Sequence, residues 1–134
     1  LSGVRTGMLV ENVTLNPDVT ITECRFYRYP QIRLSGRGRM LVRGNVFERA
    51  YCAMRFWDLA EYWFESGRLS TVEIVDNVFK DCTALGGSAF MTSGVSGWGQ
   101  DAPKIHEKLI LKRNRYEGVT GKLTDFAGFR QICR

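Results

Sequence analysis

Four stretches of this chain alternate apolar and polar positions and then break off in the same way. Leu41-Val-Arg-Gly-Asn-Val-Phe47, Glu73-Ile-Val-Asp-Asn-Val-Phe79 and Ile110-Leu-Lys-Arg-Asn-Arg-Tyr116 each read as a short strand, an asparagine, a spacer and an aromatic. A fourth copy, Thr20-Ile-Thr-Glu-Cys-Arg-Phe26, keeps the pattern with Cys24 in the asparagine place. Val, Ile, Phe and Thr dominate the copies, and the period-two alternation at Val72, Ile74 and at Leu109, Leu111 predicts strands rather than helices. A unit this short cannot bury its own apolar face, so repetition predicts that the copies stack on one another. The anchors Cys24, Asn45, Asn77 and Asn114 lie at intervals of 45 − 24 = 21, 77 − 45 = 32 and 114 − 77 = 37. Twenty-one residues are too few for two packed helices but suit one coil of a parallel β-solenoid, and the surplus in the longer intervals predicts two loop excursions. The fold expected is all-β, a single solenoid segment over residues 1–134 with four to five coils.

The asparagine has a physical role in such a stack. Its short amide tolerates left-handed backbone and is able to bond to the equivalent asparagine of the next coil, forming an internal ladder. Phe26, Phe47, Phe79 and Tyr116, two residues beyond each anchor, are then expected to stack inside. The competing arrangement is a run of hairpins in an antiparallel sandwich, in which neighbouring copies would run in opposite directions.

Composition narrows the function classes. With 134 residues and 44% apolar content the chain suffices for one domain with a core, and it holds no apolar run near the roughly 18 residues of a membrane span. The net charge of +5 is carried by arginines spread along the chain: Arg25, Arg28, Arg33, Arg37, Arg39, Arg43, Arg49 and Arg55. That spacing suits the solvent-facing row of a solenoid, and without a recognition helix or nucleic-acid motif no nucleic-acid partner is expected. Cys24, Cys52, Cys82 and Cys133 match no zinc signature and no compact disulfide framework. Cys82 falls five residues after Asn77, where Ala50 and Val119 stand after Asn45 and Asn114, so it is expected to be a buried free thiol. His106, the only histidine, is expected to be a hydrogen-bonded structural residue just ahead of the last repeat strand; no metal site and no cofactor are expected. No targeting segment is readable from Leu1 onward, and residues 128–133 read as a strand begun and cut off. A stack of four or five coils would leave open sheet edges, so remaining coils of a longer solenoid, or a self-associating partner, are expected to cover the ends.

Several segments together carry a family resemblance. Gly7-Met-Leu-Val-Glu-Asn-Val13, the repeats with their asparagine and aromatic, Asp58-Leu-Ala-Glu-Tyr-Trp-Phe-Glu-Ser-Gly67, and Ile105-His-Glu-Lys-Leu-Ile-Leu111 ahead of Asn114 resemble the glycosidases of gut bacteria built on a right-handed parallel β-helix, in particular the α-1,3-galactosidases of glycoside hydrolase family 110. Tyr62-Trp-Phe-Glu-Ser-Gly67 is the more specific part. The resemblance implies a right-handed parallel β-helix of the pectin lyase-like kind, a bacterial glycoside hydrolase acting on terminal α-galactosyl sugars, a glycan as partner, and an extracellular or periplasmic location.

The residues supply ingredients for that chemistry. Glycoside hydrolysis uses two carboxyl groups, about 5–5.5 Å apart for retention or about 6.5–9.5 Å for inversion. Parallel stacking provides such spacings, since adjacent strands lie about 4.8 Å apart and alternate ones about 10 Å. The best local cluster is Arg55, Trp57, Asp58, Glu61, Trp63 and Glu65, held on the excursion between the second and third repeats. Asp58 and Glu65 are the candidate catalytic acids; Arg55, Trp57, Glu61 and Trp63 are candidate sugar contacts, because tryptophan faces stack on sugar rings and charged groups bond hydroxyls. The same aromatics would serve equally as packing over the side of the solenoid, and Glu65 ahead of Ser66-Gly67 as a turn residue. In the second excursion, rich in Gly and Ser, Ser88–Thr92 are expected to complete a coil as a strand, with Trp98 in the loop beyond as a further sugar platform. No Lys-Ser/Thr follows those glycines, so they form no phosphate cradle. The alternative function is a non-catalytic solenoid that binds glycan or builds a surface.

Overall fold

A computed structural model describes residues 8–10, 18–28, 32–34, 38–50, 54–58, 69–83, 91–95, 106–121, 124–125 and 129–134. Among these are fourteen strands and no helix: β1 (Met8–Val10), β2 (Val19–Thr22), β3 (Arg25–Tyr27), β4 (Ile32–Leu34), β5 (Met40–Arg43), β6 (Val46–Glu48), β7 (Met54–Asp58), β8 (Thr71–Val75), β9 (Val78–Lys80), β10 (Met91–Val95), β11 (His106–Lys112), β12 (Arg115–Glu117), β13 (Thr124–Asp125) and β14 (Phe129–Cys133). They form three sheets, ordered β1-β4-β7-β10-β13, β14-β11-β8-β5-β2 and β12-β9-β6-β3. These are sheets 1, 2 and 3 below. Every described pairing is parallel, which excludes the antiparallel sandwich of hairpins. Each repeat contributes one strand to each sheet, and the strands of every sheet follow one another in chain order.

The repeats stack in the register that their anchors announce. Ile21, Val42, Ile74 and Leu111 align across sheet 2, as do Phe26, Phe47, Phe79 and Tyr116 across sheet 3. The four rings form one column with centroids 4.8, 5.0 and 5.2 Å apart and planes within 8–12° of parallel. Strand spacing and ring spacing are the same distance, so each ring sits on the one below without displacing the backbone. Around the column pack Met40, Val42, Val72, Ile74 and Leu109 of sheet 2, Met54 of sheet 1, and Ala50, Leu69 and Cys82 at the corners, all essentially fully buried.

Between sheets 2 and 3 the chain turns sharply, and the anchor side chains fill that corner. Asn45 Oδ1 accepts the Cys24 N–H at 3.0 Å, and Asn77 Oδ1 accepts both the N–H and the Nδ2 of Asn45, each at 3.0 Å. Asn114 Oδ1 takes the same two donors from Asn77 at 3.0 Å. Each Nδ2 also donates to the carbonyl three residues before the preceding anchor: Asn45 to Ile21, Asn77 to Val42 and Asn114 to Ile74, at 2.8–2.9 Å. Asn45 and Asn77 are completely buried, and these bonds occupy their polar atoms in a place where an unmade bond would be costly. Cys24, at one end of this ladder, turns its thiol to the Thr22 carbonyl at 3.2 Å.

The left-handed backbone expected at the anchors lies elsewhere. Positive φ occurs one residue before each anchor, at Glu23, Gly44, Asp76 and Arg113, and four residues after it, at Arg28, Arg49, Asp81 and Gly118. Six of these eight are not glycine, so about 1–2 kcal/mol of strain at each is offset by cross-repeat backbone bonds such as Asp76 N–H to Lys112 O at 3.0 Å and Asp81 N–H to Glu117 O at 2.7 Å. Where glycine does occur, the neighbouring acid occupies the space a side chain would need: a Cβ on Gly44 would meet the Glu23 carboxylate, and one on Gly118 the Asp81 carboxylate.

One boundary differs from expectation. The fourth strand of sheet 1 runs over Met91–Val95, later than the expected Ser88–Thr92, so residues expected in a loop lie in register with β7. Residues 128–133, expected as a strand, do contain one, Phe129–Cys133, paired with His106–Ile110.

The ladder predicts unequal costs along it. Asn77→Ala leaves two Asn45 donors and the Val42 carbonyl buried without their partner and should destabilise by about 2–4 kcal/mol, whereas Asn114→Ala, in the part-buried rung, should cost less than half of that. Urea unfolding midpoints of the two variants check the order.

Candidate functional site

The sequence-predicted site residues divide between one strand and segments outside the described residues. Arg55, Trp57 and Asp58 belong to β7, so they stand on a regular strand of sheet 1 and not on the excursion expected to hold them. Glu61, Trp63, Glu65 and Trp98 lie outside the described residues. Met54, at the start of β7, is fully buried and marks the core face of the strand. Period-two alternation then puts positions 55 and 57 on the opposite face, while positions 56 and 58 share the parity of Met54, with Asp58 closing the strand.

Parallel register assembles columns across sheet 1. Leu9, Arg33, Arg55, Thr92 and Asp125 form one, on the face opposite Met54. Trp57 lies beside Gly94 on that same face, and Asp58 beside Val95. Sequence reasoning singled out Arg55 and Trp57 but did not set Arg33, Thr92 and Gly94 beside them, because the strands of those three carry neither the asparagine nor the aromatic of the repeats. A three-residue strand such as Ile32–Leu34 offers only one full alternation as a signal.

On the other sheets, several described charges have partners in the neighbouring repeat. Arg113 makes a two-pronged contact with Asp76, Nε to Oδ1 at 2.6 Å and Nη2 to Oδ2 at 2.9 Å. Arg25 pairs with Glu48, and Arg39 lies 3.6 Å from Glu73. Arg28 and Arg49 both hold their guanidinium groups over the Tyr27 ring, 5.4 and 5.8 Å from its centre, and Arg49 donates to the Tyr27 hydroxyl at 3.2 Å. The hydrogen bond from Arg25 holds the Glu48 carboxyl below the usual range, and the bond from Arg113 does the same for Asp76. These acids are therefore tuned away from proton donation.

His106 is fully buried; its Nδ1 accepts the Leu69 N–H at 3.3 Å, and its ring leans against Phe129 at 4.9 Å. Cys82 is a buried free thiol whose Sγ bonds to the carbonyls of Lys80 and Phe47 at 3.3 and 3.4 Å, and burial pushes it up to about 11. Among the described residues no group of three or more His, Cys, Asp or Glu could hold a metal ion. No helix among them is long and apolar enough to cross a membrane.

No family model matches the chain. Curated proteins do. It is similar to α-1,3-galactosidases. To α-1,3-galactosidase B of Bacteroides thetaiotaomicron it is 35% identical over 81 residues, 59% of this chain. To α-1,3-galactosidase A of Shewanella woodyi it is 34% identical over 77 residues, 55% of the chain. To α-1,3-galactosidase A of Streptomyces avermitilis the likeness is 28% but extends over 120 residues, 87% of the chain. The matched regions amount to 13%, 13% and 19% of those proteins, so the chain spans less than a fifth of their length. No solved structure matches.

Two electrostatic outcomes follow. Because the folded state lowers Asp76 below its ordinary value of 3.8, the stability from its pairing with Arg113 is fully present above that pH and is lost as pH falls through the lowered folded value. Arg113→Gln should therefore flatten the loss of stability below about pH 4, measured as thermal midpoints across the acid range. Cys82 should resist alkylation by iodoacetamide at neutral pH until the protein is unfolded, with mass spectrometry of the tryptic peptide as readout.

Proposed function

We propose that this chain is one stretch of a longer right-handed parallel β-helix that hydrolyses terminal α-galactosyl sugars, with carboxyl groups as acid and base. The observation that carries the reading is the likeness to α-1,3-galactosidases over as much as 87% of the chain, in a fold whose described strands all pair in parallel. The relatives' greater length supports a longer parent, as does the exposure of Tyr116 and Ile132, which continue columns buried elsewhere in the stack. Further coils of the same repeat are the partner that would cover them. Its substrates, in this proposal, are extracellular or periplasmic glycans.

In this reading β7 brings Arg55 and Trp57 to one face of sheet 1 and delivers Asp58 to the end of the strand, from which the segment bearing Glu61, Trp63 and Glu65 departs. One carboxylic acid protonates the departing glycosidic oxygen while the other attacks the anomeric carbon or activates water; which occurs depends on their separation. Asp58 and Glu65 take these parts, and Trp57, Trp63 and Trp98 supply faces for sugar rings, with Arg55 and Glu61 bonding hydroxyls.

The second reading is a non-catalytic segment that binds glycan; Glu48 and Asp76, each lowered by a hydrogen bond from an arginine, are not the acids of the first reading.

Replacing the acids separates the two. In the polypeptide that carries this segment, Asp58→Asn and Glu65→Gln should each lower kcat for galactose release from an α-1,3-linked galactoside by about 10²–10⁴-fold with the fold intact by circular dichroism. Unchanged turnover in both variants would overturn the catalytic assignment, and sugar binding without release by the unaltered protein would favour the second reading.

A further inference from the structure

The corner that leads from sheet 3 towards sheet 1 stacks two arginines. Arg28 and Arg49 follow the register partners Tyr27 and Glu48, and both take left-handed backbone with φ of 54°. Their N–H groups bond in the same way to the next repeat, Arg28 to the Glu48 carbonyl and Arg49 to the Lys80 carbonyl, each at 2.9 Å. The two backbones are therefore about one strand spacing apart, ~4.8 Å. Both side chains are exposed, yet both are held: their guanidinium carbons lie 5.4 and 5.8 Å from the centre of the Tyr27 ring, and Arg49 Nη1 donates to the Tyr27 hydroxyl at 3.2 Å. One ring thus gathers two like charges. A tyrosine face steadies a cation but brings no net charge to cancel it.

The described acids around the pair are engaged elsewhere. Glu48 is bonded to Arg25, and that bond first, then the nearby charges of Lys80 and Arg49, hold its carboxyl below the usual range. Asp81, next in the corner column after Arg49, turns its carboxylate the other way, into the space that a Cβ on Gly118 would fill. Residues 29–31 and 51–53, which follow the two arginines, read Tyr-Pro-Gln and Tyr-Cys-Ala and bring no acid.

With Glu48 beside it and Asp81 beyond it, this basic stretch is one strand spacing long. It matches a single oxyanion, whose oxygens two guanidinium forks hold in pairs, and it is too short for the row of phosphates on a nucleic acid. Its position suits a glycan. Arg49 stands 54 − 49 = 5 residues ahead of β7, so at most about 18 Å of chain separates it from the strand that carries Arg55, Trp57 and Asp58, a distance a short oligosaccharide spans.

We infer that Arg28 and Arg49 bind a carboxylate or sulfate substituent of the glycan, an anchor outside the reaction centre, and that Tyr27 positions the two guanidiniums for it. The inference rests on the saccharide reading above and deepens it by naming charged glycans as the substrate class. Guanidinium forks take the oxygens of either anion, so both sources share one chemistry.

Isothermal titration of the chain with a neutral α-1,3-linked galactobiose, a sulfated galactobiose, an α-linked digalacturonate and inorganic sulfate tests it. At least one charged sugar should bind about tenfold more tightly than the neutral one, and which of the two does so distinguishes sulfate from carboxylate. Arg28→Gln and Arg49→Gln should each remove most of that preference and the double variant all of it, whereas Arg49→Lys should keep part, since the charge remains but the fork is lost. Tyr27→Leu keeps both charges and takes away the ring that gathers them, so it should lower the preference, which a mere effect of net charge would leave unmoved. Circular dichroism and urea midpoints establish that the variants fold. Equal binding of neutral and charged sugars by the unaltered chain, or a preference that survives in the folded double variant, overturns the anion anchor and leaves the saccharide reading standing. Inorganic sulfate bound as tightly as the sulfated sugar, with no binding of the neutral one, overturns the saccharide reading and with it the assignment of this corner to a glycan. A short oligonucleotide titrated in parallel should bind more weakly than the charged sugar, and tighter binding overturns the same assignment. Absence of binding by every probe overturns both.

Discussion

The buried asparagine ladder is the constraint on which the rest of the arrangement depends. A sharp corner between two parallel sheets interrupts backbone pairing, and in the interior no water is available to replace it. One amide per repeat solves the problem from both sides: its oxygen takes the N–H and Nδ2 of the anchor in the preceding repeat, and its own nitrogen returns a bond to that repeat's carbonyl. Three asparagines therefore bind four repeats to one another at fixed height and fixed phase. A slip of one residue would break every rung at once and turn the apolar faces outward.

With phase fixed at that corner, the remaining contacts inherit it. The phenylalanines two residues on stack at strand spacing, and Ala50, Cys82 and Val119 meet five residues on in the next corner. Exact register also has a cost, since a column repeats charge as faithfully as it repeats hydrophobicity. On sheets 2 and 3 and at their corners the chain resolves this in different ways: an aspartate below an arginine at Asp76–Arg113, a tyrosine ring under two guanidiniums at Tyr27, diagonal ion pairs at Arg25–Glu48 and Arg39–Glu73. These surface pairs contribute little stability individually. What they accomplish is to make the stack tolerable in the register that the ladder dictates.

The same logic links fold to chemistry. Residues more than thirty positions apart in sequence, such as Trp57 and Gly94, become neighbours at one strand spacing, and alternation along β7 assigns Arg55 and Trp57 to one face and Asp58 to the strand end. A sheet of this kind offers a ruled surface on which sugar-sized separations recur without special loops.

The sequence by itself determined the parts that repeat at constant offsets: the alternating strands of sheet 2, the anchor asparagines, the rings two residues later and the burial of Cys82. Those features are local, because alternation and a side chain's hydrogen-bonding capacity act within a few residues and so leave a readable signature. Sheet 1 was hidden. Its strands begin 32 − 24 = 8, 54 − 45 = 9, 91 − 77 = 14 and 124 − 114 = 10 residues after their anchors, so no constant offset marks them. The left-handed residues were also misplaced by one position, since Asp, Glu and Arg there carry no glycine signal and only the closed corner forces the conformation. Tertiary structure alone decided that Arg33 would lie against Arg55 and Gly94 against Trp57, because loops of unequal length deliver those strands and only the stacking of whole repeats sets their register.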